Sequence, residues 1–156
     1  MNERLTIISN AIYDNDFINL VRPNYQNYLD GQSKIPYYIH AGGDYEHVGF
    51  TGYFVKKLEK TLDSSFYKEF IVNIFNRIDN LIDIDFELWD HYNGSLIDIY
   101  AIEYVPSDPV IGTAYLWDGW VDIEFRVLDD VRQNYITIVH EIGHALGLDH
   151  PDGDGF

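Results

Sequence analysis

The run NYITIVHEIGHALGLDH, from Asn134 to His150, constrains the chain more tightly than any other stretch. The apolar residues of YITIV, with Ile142, Ala145, Leu146 and Leu148, give a helix one buried face. Asn134 reads as its N-cap, Leu146 as its last residue and Gly147 as the glycine that closes it. His140 and His144 stand four apart, so both point from one side of that helix and can reach one metal at ~2.0–2.1 Å. Glu141 projects about 100° round from His140, within reach of a metal-bound water without being a ligand, which is what a general base needs. Gly147 can turn left-handed where a residue with a Cβ loses ~1 kcal/mol or more. The chain doubles back there, and His150 arrives from another direction as a third ligand.

Three neutral imidazoles leave one coordination position open, which marks a catalytic rather than a structural zinc. Water in that position has its pKa lowered toward neutrality, and the ion polarises a carbonyl and stabilises its developing oxyanion. A histidine pair at this spacing is common on helices. Here five positions, His140, Glu141, His144, Gly147 and His150, agree at once. His40, His47 and His91 lie outside any ligand spacing and read as structural or exposed.

Upstream, IPYYIH (Ile35 to His40) reads as a strand and AGGDYEHVGFTG as an irregular loop. A helical pattern spans Tyr53 to Ile82, with Phe66, Phe70, Ile74, Ile78 and Leu81, joined by Ile71, Phe75 and Ile82, as its core stripe and Ser64 or Ser65 as its N-cap. DIDFELWD places Ile84, Phe86 and Leu88 on one face, and SLIDIYAIEYV alternates around Ile97, Ile99 and Ala101. IGTAYLWDGWVDIEFRV reads as a hairpin turning at Asp118-Gly119. Strand, long helix, several strands and a second helix make an α+β fold, one sheet backed by helices.

The chain has 156 residues, 46% of them hydrophobic, enough for one domain with a real core. Asp30-Gly31 and Pro36 set a soft boundary, so residues 1–33 read as an N-terminal extension and 34–156 as the main domain. A net charge of −16 argues against nucleic acid or an anionic membrane as partner. No apolar run approaches a membrane span, and the charged N-terminal segment is unlike a Sec signal peptide. Without cysteine, thiolate ligands, disulfides and a cysteine nucleophile drop out, which suits the cytoplasm and a disulfide-free secreted enzyme equally.

HEIGHALGLDHP resembles the zinc motif of the metzincins, closest to the serralysin and matrixin-like (M10) metalloproteases. The resemblance is strong over residues 140–151 and topological over the rest of 34–151. It implies a zincin-like fold: a twisted mixed sheet with an antiparallel edge strand, a long helix and an active-site helix. It implies His140, His144 and His150 as zinc ligands and Glu141 as catalytic base of an endopeptidase. Gly112, Thr113, Ala114, Tyr115 and Leu116 would line the cleft as an edge that a polypeptide substrate joins as an antiparallel strand. It also implies export by a route other than Sec.

The only methionine is Met1, so the Met-turn and lower subdomain expected after His150 are missing and the domain reads as truncated after the zinc motif. Such an exposed site would offer a surface for homodimerisation. Ca2+ is the other cofactor an acidic chain could hold, but Asp152 and Asp154 are too few to make a site. Asp14, Asp16 and Asp30 read as surface carboxylates, an aspartate switch onto the zinc being the alternative. Asp149 is either a partner orienting a ligand or solvent-facing. Two functions compete: a zinc endopeptidase, and a zinc-binding but proteolytically incompetent fragment or pseudo-enzyme acting as a binding module. A metallo-hydrolase of non-peptide substrates is the remoter third.

Overall fold

Alternating apolar residues write strands into the chain, and their pairing sets one sheet behind the histidine helix. The computed structural model describes residues 28, 34–40, 45–47, 55–57, 65–82, 84–102, 110–117, 119–148 and 150. In chain order these form β1 (Lys34–Ile39), β2 (Tyr45–His47), β3 (Val55–Lys57), α1 (Ser65–Asp79) and β4 (Asp85–Trp89). β5 (Ile97–Ile102), β6 (Gly112–Leu116), β7 (Val121–Arg126) and α2 (Val131–Ala145) follow. Five strands make a mixed sheet in the order β4-β1-β5-β7-β6, while β2 and β3 pair separately. β1 runs parallel to β4 and β5, and β5 parallel to β7. Within this sheet β6 alone runs against its neighbour, as a hairpin partner must. The α+β expectation with an antiparallel edge therefore holds.

Both helices pack on one face of the sheet. Ile35, Tyr37, Ile39, Ile97, Ile99, Ala101, Val121, Ile123 and Phe125 meet Tyr67, Ile71 and Phe75 of α1 and Ile138, Ile142 and Ala145 of α2 in one core. Each of the larger aliphatic or aromatic side chains among them contributes roughly 1.5–3 kcal/mol by leaving water. Tyr28 also packs on this core; the rest of residues 1–33, with Asp14, Asp16 and Asp30, lies outside the described residues.

The other face of β5 and β7 is buried as well, although it carries Asp98, Asp122, Glu124 and Arg126. Three of these groups are bonded in place: Ser95 Oγ donates to Asp98, Trp117 Nε1 to Asp122 at 2.6 Å, and Arg126 Nε to the Val110 carbonyl at 2.5 Å. Hence all six residues of each strand are buried, where sequence alternation alone suggests one wet face.

Three expectations are corrected. The helical reading of 53–82 is too long, since β3 occupies Val55–Lys57 and α1 spans only Ser65–Asp79. Its stripe is also shifted: Ile71 and Phe75 are buried as expected but in one row with Tyr67, whereas Phe66 is 55% and Leu81 77% exposed. The two i, i+4 rows lie side by side, so apolar residues in both left the choice of central row open. Phe70 and Phe66 instead flank the core, their rings 4.1 and 5.6 Å from that of Tyr135 on α2.

The third concerns the start of α2. Asp130, not Asn134, is the N-cap, accepting from the Arg132 and Gln133 N–H groups at 2.9 and 3.2 Å. Asn134 sits inside the helix, fully buried. It accepts from the Leu128 N–H and donates to the Leu128 carbonyl and Tyr67 hydroxyl, all within 2.9 Å. That side chain ties the loop after β7 to α1. In the β6–β7 hairpin, Trp117 N–H bonds the Trp120 carbonyl at 2.9 Å, and Gly119 has the positive φ (116°) such turns need. Asp118 lies outside the described residues.

Candidate metal centre

α2 brings His140 and His144 to one side, a turn apart, and its C-terminus supplies the third ring. Gly147 adopts φ 92°. The Leu148 N–H returns to the Gly143 carbonyl at 3.0 Å and the Gly147 N–H to the His144 carbonyl at 2.9 Å. This pair of bonds is a Schellman motif, which satisfies the last carbonyls of the helix while reversing the chain. His150 then swings back over α2. Its Nε2 lies 2.9 Å from that of His140 and 3.1 Å from that of His144, and the latter two are 3.0 Å apart.

These three nitrogens form a nearly equilateral triangle. A tetrahedral ion with bonds of ~2.0–2.1 Å has edges of roughly 3.3 Å, so the triangle is close to what one zinc requires. The tautomer agrees. His144 Nδ1 is 2.7 Å from the Leu148 carbonyl, which can only accept, so the ring proton sits on Nδ1 and Nε2 keeps its lone pair. Burial, and then the neighbouring His144 and His150 rings, push the pKa of His140 down and favour its neutral, ligating form. Among the described residues this is the one cluster of potential ligands close enough to hold a metal. The donor set therefore fits an ion, and the expected ligands converge as a metal centre needs.

Glu141 stays off this triangle. It lies on the neighbouring row of α2 with Thr137, facing β6, and only 6% of it is exposed. Burial raises its carboxyl pKa from 4.5 to about 7, while a hydrogen bond from the Ala114 backbone N–H pulls the other way. A buried carboxyl whose pKa is raised toward neutrality can exchange protons near pH 7.

β6 is the open edge. Arg126 N–H bonds the Ile111 carbonyl and Trp117 N–H the Trp120 carbonyl. By antiparallel alternation Thr113 and Tyr115 also face β7, and Gly112, Ala114 and Leu116 turn their backbone groups outward. The predicted substrate strand thus divides: Gly112, Ala114 and Leu116 share the helix face of the sheet, while Thr113 and Tyr115 stand opposite Glu124 and Asp122 on the other.

Sequence reading missed Thr137, the Leu148 carbonyl and the contact of Gly112 with Glu141. Only Gly112 carried a signal, since an isolated strand glycine often marks a close approach. His40 packs on Tyr100 and His91 on Trp89, away from the triad, while the side chains of His47, Asp149, Asp152 and Asp154 are outside the described residues. No helix among the described residues is long and apolar enough to cross a membrane. Comparison with known protein families, with curated proteins and with solved structures found no match.

Proposed function

We propose that this chain is a zinc-dependent endopeptidase of metzincin type, with His140, His144 and His150 as ligands and Glu141 as general base. The observation that carries the reading is the convergence of three Nε2 atoms within 3.1 Å beside a buried carboxyl that is not one of them. A metal-binding role alone has no use for that carboxyl. A mixed sheet whose antiparallel edge faces the ligand-bearing helix supports a zincin-like fold for the same reason.

When bound, zinc supplies Lewis acidity to the carbonyl and to water. The outward C=O groups of Gly112, Ala114 and Leu116 and the N–H groups of Gly112 and Leu116 can pair with an extended peptide, the Ala114 N–H being held by Glu141, and this supports polypeptide as the substrate class. Glu141 takes a proton from the attacking water and delivers it to the amide nitrogen as the C–N bond breaks. One water is consumed, and its oxygen ends in the new carboxyl group. His144 is held in its ligating tautomer by the Leu148 carbonyl throughout.

The test is digestion of a denatured protein by the zinc-loaded chain, beside Glu141→Ala and a chelated sample, with zinc measured in each. One zinc per chain and cleavage lost in both controls is the expected result. Zinc bound by wild type and Glu141→Ala alike, with no cleavage by either, would replace this reading with that of a zinc-binding module.

A further inference from the structure

Gly112 opens β6, and its backbone is not in the left-handed region, so conformational freedom is not why a glycine stands there. Space is. A Cβ at this position would lie 2.5 Å from Glu141 Oε1 and 2.9 Å from Glu141 Cγ, and would collide with Thr137 Cγ2 as well. Thr137 is buried and β-branched, with its χ1 restricted on a helix, and it has little room to yield. Both clashes must open, and the Glu141 carboxyl, at the end of a longer and more adjustable side chain, is the group that gives way most readily. It would then leave the Ala114 N–H, the donor that the outward side of β6 now offers it.

We propose that Gly112 is a positioning residue for the general base: the space beside its Cα is the seat of the Glu141 carboxyl, so the strand that receives substrate also fixes the proton acceptor. The inference rests on the peptidase reading and adds a determinant outside the histidine motif. Because a peptide pairing with β6 and the carboxyl seated on β6 share one backbone, their separation is set by one strand. A side chain at position 112 alters that separation without touching any of the three histidines.

The test is Gly112→Ala in wild-type and Glu141→Ala backgrounds, read three ways on zinc-loaded protein. Zinc affinity is measured by competition with a chelating dye, kcat and KM with a fluorogenic peptide, and the Ala114 amide proton by NMR. Gly112→Ala should bind zinc as wild type does, keep its KM and lose about 100-fold in kcat, the loss that a misplacement near 1 Å brings. In the Glu141→Ala background it should cause no further loss. The Ala114 amide should move toward its unbonded shift in Gly112→Ala and in Glu141→Ala alike.

A wild-type kcat in Gly112→Ala, an unmoved Ala114 amide, or zinc affinity falling in step with kcat would each overturn the proposal. Should Gly112→Ala not fold, Gly112→Ala with Thr137→Ala carries the same readouts, the new methyl taking the space that Thr137 Cγ2 vacates. If the wild type cleaves no peptide, the peptidase reading fails, and the Ala114 amide still decides whether the seat exists.

Discussion

At the scale of single residues, Glu141 is held in a place that disfavours its own charge. Burial lifts its pKa from 4.5 to about 7, so in the metal-free chain the folded state binds this proton more tightly than the unfolded state does. Stability should therefore fall as pH rises from 4.5 to about 7 and stay lower above that. The loss is at most about 3 kcal/mol at 1.36 kcal/mol per unit. Glu141→Gln removes the titration. Thermal melts in chelator should show Glu141→Gln more stable than wild type at pH 8 and little different at pH 4. Equal behaviour at both values would mean that the carboxyl is not desolvated. The ligands make a second prediction at this scale. His150→Ala should weaken zinc binding by more than the 10–100-fold typical of losing an outer partner, measured by dye competition. The histidines and Glu141 were legible because helical geometry converts their spacing directly into proximity. The contact of Glu141 with Gly112 was not, since it joins residues from separate elements.

At the scale of elements, the C-terminus of α2 is both a helix stop and the turn that brings His150 to the other two imidazoles. Gly147→Ala forces a Cβ into φ 92°, a strain of about 1–2 kcal/mol. Both thermal stability and zinc affinity should drop, because relaxing the turn moves His150; a stability loss with unchanged affinity would separate the two roles. The start of α2 carries a different dependence. Asn134→Ala leaves the buried Tyr67 hydroxyl and the Leu128 N–H and carbonyl without their partner. Denaturant unfolding should show a loss on the order of 3 kcal/mol, against about 1 kcal/mol for removing the Asp130 cap by Asp130→Ala. Local sequence favours asparagine at caps, which is why Asn134 reads as one; its three tertiary bonds override that preference. In α1, likewise, two adjacent apolar rows are equally good locally, and only the sheet selects Tyr67, Ile71 and Phe75.

At the scale of the whole molecule, the fold separates its tasks by face and edge. One face of the sheet takes both helices, the other buries a bonded polar row, and the β6 edge lies beside Glu141. The short β2 and β3 read as an irregular loop and a helix, whereas the strands of the five-stranded sheet and their hairpin were readable from alternation and turn residues. Their order was not: β5 inserts between β1 and β7 while β4 goes to the far edge, and pairing over such distances leaves no local trace. If the histidine centre belongs to the folded state alone, zinc should stabilise the whole domain. Near 100 times its dissociation constant the ion should add about 2.7 kcal/mol to unfolding, visible as a higher melting temperature and absent in His144→Ala. The most direct measurement is X-ray absorption at the zinc edge on the loaded wild type and Glu141→Ala. Three imidazole nitrogens at ~2.0–2.1 Å are expected, the same in both proteins. Fewer than three nitrogens, or a shell that loses an oxygen when Glu141 is removed, would contradict that expectation.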